Sequence, residues 1–186
     1  MPGISKENTF LRINKNMLAI VTGSSGDIGK AVSKKLIQND FKVIGIDCCD
    51  ASFKNKNYTH VKYDLGQLTK KEAVMEINKK ISVASKSFKK NKINLLVNNA
   101  AIQSIGHLDE IEAEEWLNTF NVNLFAPFFL IQSLLKKFDT KNGSVINISS
   151  IHSRLTKPGF ISYATSKAAL SALTRNIAVD IGDKIR

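Results

Sequence analysis

Two side chains able to share a proton stand four positions apart in the stretch ISYATSKAAL: Tyr163 and Lys167. On a helix that spacing puts both on one face. An ammonium beside a phenol favours the phenolate, so such a tyrosine can pass a proton to or from an alcohol or carbonyl oxygen near neutral pH. Ser150 lies upstream, at the carboxyl end of the apolar run GSVINISS. A lone YxxxK spacing also arises as an ordinary surface pair, so its weight depends on its surroundings.

A second group is built for phosphates. Gly23, Gly26 and Gly29 follow the apolar run MLAIVTG directly and open an amphipathic segment. In a dinucleotide turn one glycine makes the bend, one lets the backbone approach a pyrophosphate, and one lets helix and strand pack closely. The helix N-terminus offers free N–H groups and the positive end of the helix dipole, so the turn needs no lysine. Asp47 closes the next apolar run, KVIGID. A carboxylate there hydrogen-bonds the ribose 2′-hydroxyl of NAD and repels the 2′-phosphate of NADP. Neither the turn nor position 48 carries an arginine or lysine, so NAD is the expected cofactor.

These groups need elements to hold them. Apolar runs at 17–23, 42–47, 60–65, 93–101 and 143–150 read as five strands. Segments of helical period alternate with them: from Ile28 through Val32 and Leu36 to about Asn39, then 69–88, 114–138 and 162–182. Near-continuous apolar strands separated by helices predict an α/β fold, a Rossmann-type doubly wound parallel sheet with helices on both faces. Ligands of such sheets bind beyond the carboxyl ends of the strands. Pro127 falls inside the 114–138 pattern and has no N–H to offer the carbonyl of Asn123. That carbonyl is expected to turn to another donor, such as a water.

In order and spacing, TGSSGDIG (22–29), NNAA (98–101), NVN (121–123), INISS (146–150) and YATSK (163–167) resemble the short-chain dehydrogenase/reductase family along nearly the whole chain. The resemblance implies an oxidoreductase that moves a hydride between nicotinamide and a secondary alcohol or ketone. It makes Tyr163 the proton donor or acceptor and Lys167 its partner and the holder of the nicotinamide ribose. Ser150 would orient the substrate oxygen, and Asn123 would complete a tetrad through an ordered water. By the same resemblance Ser25, Asp27 and Ile28 lie near the pyrophosphate, Asp64 and Leu65 at the adenine, and Asn99 and Ala100 along the cofactor ribose. Ala101 stands where the family carries a glycine.

The bulk composition sets outer bounds. The 186 residues carry a formal net charge of +11 and are 43% hydrophobic, which argues for one packed domain over 1–186. The lysines are scattered, as on solvated helix faces, and no aromatic-interleaved basic patch marks a nucleic-acid binder. His60, His107 and His152 lack metal-ligand spacing, and the adjacent Cys48 and Cys49 read as packing residues rather than reactive thiols. The N-terminal MPGISKENTFLRINKN lacks a signal-like apolar stretch and no run approaches membrane-spanning length, so a cytoplasmic protein without membrane contact is expected. The family continues past position 186 with further strands and a substrate-covering lid, so the fold is expected to be C-terminally incomplete. An unpaired edge on the fifth strand would follow. The alternative reading is an impaired nucleotide-binding or interaction protein on the same fold. The long apolar helices 114–138 and 162–182 point to a homodimer or homotetramer.

Overall fold

The computed structural model describes residues 17–186, so the N-terminal segment read above for a targeting signal lies outside the described residues. Five strands form one sheet: β1 Leu18–Thr22, β2 Lys42–Asp47, β3 Tyr58–Lys62, β4 Leu95–Asn98 and β5 Ser144–Asn147. Their order is β3-β2-β1-β4-β5, and every pairing is parallel. β1 is central, with all five residues buried. It pairs Ile20 with Ile44 on one side and with Leu96 on the other. Strand order reverses between β1 and β4, which opens a crevice at their carboxyl ends.

The helices are α1 Asp27–Gln38, α2 Lys71–Ser87, α3 Ala113–Phe120, α4 Ala126–Leu134 and α5 Ile161–Ile181. On one face of the sheet Ile20, Ile44 and Leu96 pack with Ile77 and Ile81 of α2 and with Leu130 and Leu134 of α4. On the other, Ala19, Val21, Val43 and Val97 meet Val32 and Leu36 of α1. Burying each Leu, Ile or Val of these layers contributes roughly 1.5–3 kcal/mol. Ile28, assigned above to the apolar face of α1, is 61% exposed instead. It belongs to the first turn of the helix, which overhangs the crevice rather than the sheet.

Other boundaries differ from the sequence reading. The third strand starts at Tyr58 and stops at Lys62, and Leu65 opens a short 3-10 turn, Leu65–Gln67. The fourth and fifth strands are shorter than their apolar runs. The single helix expected over 114–138 is interrupted: α3 widens into a π-helical turn at Asn121–Phe125, α4 begins at Ala126, and a 3-10 turn covers Leu135–Lys137. Pro127 explains the site of the break. It sits in the first turn of α4, where a missing N–H costs nothing, and the Ala126 N–H reaches back to the Asn121 carbonyl. The outer edge of β5 is not bare either. Arg186 donates from its N–H to the Gly143 carbonyl (3.2 Å) and accepts from the Val145 N–H (2.8 Å).

Candidate active site at the carboxyl ends of the strands

A cleft of about 850 Å³ lies beyond β1, β2 and β4. Its lining includes Gly23, Ser25, Gly26, Asp27, Ile28, Gly29, Asp47, Asp64, Leu65, Asn99 and Ala100, so every residue assigned to the dinucleotide but Tyr163 and Lys167 borders one space. The glycines differ in what requires them. Gly23 has φ +63°, and a Cβ on it would stand 2.8 Å from Ala100 Cα. A Cβ on Gly29 would overlap the Gly23 carbonyl oxygen. At Gly26 the nearest atom to an added Cβ is 3.6 Å away, so the fold itself imposes no bare Cα there. No side chain caps the N-terminus of α1, which leaves its first N–H groups for a ligand.

Asp47 ties the turn to β2: its Oδ2 accepts from the Ser25 N–H (2.9 Å) and its Oδ1 from the Cys49 N–H (2.9 Å). Asp64 is engaged locally, accepting from Gly66 N–H (2.9 Å) and Gln67 Nε2 (3.1 Å). Asn99 turns its side chain inward, where Nδ2 donates to the carbonyls of Thr22 and Gly23. Thr22, which the sequence reading passed over, anchors the same corner: its Oγ1 accepts from the N–H groups of Asn99 (2.9 Å) and Ala100 (3.0 Å). Three carboxylates border the cleft and, among the described residues, no lysine or arginine does. Cys48 and Cys49 also border it, and both are exposed, so they do not serve as packing residues. Burial, with the neighbouring Cys49 and Asp47, pushes the Cys48 thiol up.

Tyr163 and Lys167 stand outside this lining, in the first half of α5. Lys167 is 2% exposed and donates from Nζ to the Ile148 carbonyl at 2.7 Å. Its Nζ lies 5.8 Å from the centre of the Tyr163 ring. Burial pulls the ammonium down to about 8. The Tyr163 ring meets Phe160 and His152 edge to face, at 6.1 and 6.3 Å. His152 thus packs against Tyr163, a contact for which sequence spacing carried no signal. Ser150 accepts from the His152 N–H (3.1 Å) and caps a 3-10 turn, Ile151–Ser153, that packs on α5.

Asn123 joins the two halves. It is fully buried, its Oδ1 accepts from the Ile102 N–H (2.8 Å), and its Nδ2 donates to the Ile102 carbonyl (2.8 Å) and to Ser166 Oγ (3.0 Å). Ser166 in turn donates to the Tyr163 carbonyl (2.7 Å). The π-helical turn thus holds α5 on one side and the cleft-lining Ile102 on the other.

A parallel sheet in this order, with a glycine turn at the first strand and an acidic residue ending the second, defines a Rossmann-type nucleotide-binding α/β protein. The profile described as short chain dehydrogenase matches residues 17–186, and the chain belongs to that family. It is 29% identical over 175 residues to the 3-oxoacyl-[acyl-carrier-protein] reductase FabG of Buchnera aphidicola, covering 94% of this chain and 70% of that one. The solved 4-hydroxyisoleucine dehydrogenase complexed with NADH superposes with a TM-score of 0.81 at 25% identity, covering 92% of this chain and 70% of the other. A short chain dehydrogenase/reductase family oxidoreductase from Brucella ovis, solved with a partially ordered NAD, gives 0.79 at 31% identity over 92% and 81%. The chain spans as little as 52% of another relative, the uncharacterized oxidoreductase TDA5 of Saccharomyces cerevisiae, at 30% identity over 92% of this chain.

Proposed function

We propose that this chain is an NAD-dependent oxidoreductase of the family, acting on a small secondary alcohol or ketone. The observation that carries the reading is the joining, through Asn123, of a Tyr163–Lys167 pair to a cleft bordered by the glycine turn and Asp47. A dinucleotide fits the residues present. The uncapped start of α1 suits its pyrophosphate, and Asp47 suits an adenosine ribose hydroxyl. Three carboxylates, with no lysine or arginine beside them in the lining among the described residues, disfavour a 2′-phosphate. Two relatives of solved structure carry NADH or NAD.

Bound there, the nicotinamide would give or accept the hydride. The chain's own residues handle the proton. In ketone reduction the Tyr163 hydroxyl gives its proton to the carbonyl oxygen, and in alcohol oxidation the Tyr163 phenolate takes it back. Lys167 supports the phenolate by its charge, and its near-neutral titration lets it relay a proton. Ser150 orients the substrate oxygen, and Asn123 holds α5 in register with the cleft. We also assign self-association to the apolar groove of Leu124, Phe125, Phe128, Phe129, Ala169 and Leu173.

The direct test is calorimetric titration of NADH and NADPH into the 186-residue protein, followed by an alcohol and ketone screen. Tighter NADH binding is expected. Tighter NADPH binding would overturn the cofactor assignment.

A further inference from the structure

Cys48 and Cys49 follow β2 directly, are both exposed, and have no part in the reaction described above. With Asp47 they place two sulfurs and a carboxylate oxygen within 4.8 Å of one another. The turn is wrapped around that carboxylate: Oδ1 accepts from the Cys49 N–H (2.9 Å) and from Cys48 Sγ (3.7 Å). Its backbone is braced from behind. His60 Nε2 meets the Cys49 carbonyl at 2.9 Å, His60 Nδ1 meets Tyr58 Oη at 3.2 Å, and Tyr58 Oη donates to the buried Ser24 Oγ at 3.0 Å. The donors therefore stand on a fixed backbone, and only two short exposed side chains need to turn for the set to close.

The donor set has a definite chemical preference. Thiolates are soft ligands, and two of them with one carboxylate match a tetrahedral, thiophilic divalent ion whose fourth position stays with water. Metal–sulfur bonds of about 2.3 Å put tetrahedral ligand atoms roughly 3.8 Å apart, which these side chains reach by small rotations. Calcium and magnesium, which require six or more oxygens, are poorly matched. The structure points to a site, and we propose that Asp47, Cys48 and Cys49 bind one zinc-class cation at the rim of the cleft, and that this cation and the nicotinamide dinucleotide exclude each other. On binding, two metal–sulfur bonds form, two thiol protons leave to solvent, and no electron is transferred. The exclusion rests on the assignment of Asp47 to the adenosine ribose, because one carboxylate would serve both ligands. By linkage each ligand weakens the other equally.

Cd²⁺ is the probe, added to the full chain in thiol-free reductant and followed by its thiolate-to-metal charge-transfer absorption. One saturating equivalent is expected. Cys48→Ser and Cys49→Ser should each weaken binding at least tenfold, about the smaller loss seen even for supporting groups of a metal site. The double variant should lose the band, and because both positions are exposed these variants should keep the fold. Added NADH should raise the apparent Kd for Cd²⁺, and Zn²⁺ should displace the probe. A missing band, or a band that survives in the double variant, overturns the site. Independent binding of Cd²⁺ and NADH overturns the exclusion. If NADH fails to bind the metal-free protein, the cofactor assignment and the exclusion fall together, while the absorption alone still decides the metal site.

Discussion

Lys167 carries a charge that the fold has almost removed from water, with one carbonyl, that of Ile148, as its acceptor at 2.7 Å. Its titration falls from 10.5 to about 8 because burial disfavours the ammonium. The unfolded chain therefore binds the extra proton more tightly. Below about pH 8 the folded state carries the full cost, up to roughly 3 kcal/mol. That cost disappears as pH rises from about 8 through 10.5, so this residue makes stability climb across the window. Denaturant unfolding at both ends of the window should show the climb in the wild-type chain and not in Lys167→Met. Tyr163 faces a different test. Tyr163→Phe should lower turnover by roughly 10²–10⁴-fold while leaving NADH binding in place, since only the proton-transferring oxygen is lost. Equal loss of binding would make Tyr163 a structural residue. The four-residue spacing of this pair was legible in the sequence. The turn of Nζ toward Ile148 was not, because a strand-end carbonyl leaves no trace in side-chain pattern.

The glycine turn divides its demands unevenly among its residues. An added methyl at Gly29 overlaps the Gly23 carbonyl within the β1–α1 corner itself, whereas at Gly26 it reaches the same carbonyl oxygen only at 3.6 Å, an ordinary van der Waals contact. Gly29→Ala should therefore destabilise the protein by about 1–3 kcal/mol through overpacking. Gly26→Ser, at the N-cap of α1, should be neutral or slightly stabilising. Thermal unfolding of the two variants gives the comparison, and equal losses would contradict this reading of the corner. Strand and helix order followed from apolar periodicity because the central strands are buried along almost their whole length and α2 packs a buried stripe of Ala73, Ile77, Ile81 and Ala84 on them. Periodicity could not show the π-helical turn at Asn121–Phe125, since the segment 114–138 reads as one mostly apolar helical stretch and only Pro127 marks the interruption. That turn matters for the site, because it carries the buried Asn123 into contact with Ile102 and Ser166. Asn123→Ala would strand the Ile102 N–H and carbonyl together and should cost at least about 2 kcal/mol.

The sheet order places every candidate ligand group at one end of the molecule, and that arrangement followed from the alternation of strands and helices alone. Surfaces were harder to read. Composition shows 43% hydrophobic residues without saying which face they leave uncovered. In the fold, Ile146 of β5 stays 45% exposed. Phe125, Phe128 and Phe129 stay half-buried beside Ala169 and Leu173. With Leu124, the latter set forms one apolar groove across the π-helical turn, α4 and α5, and single-sheet packing does not consume it. A second copy of the chain offers the same apolar groove, and a two-fold pairing would let each copy cover the other. The chain's net charge of +11 opposes association at low ionic strength, so pairing by this groove should strengthen with added salt as the repulsion is screened. Phe128→Glu introduces two like charges across a two-fold axis and should return the protein to a monomer. Sedimentation velocity over a range of concentration and salt reads both effects, and a wild-type monomer independent of each would remove the groove as a pairing surface.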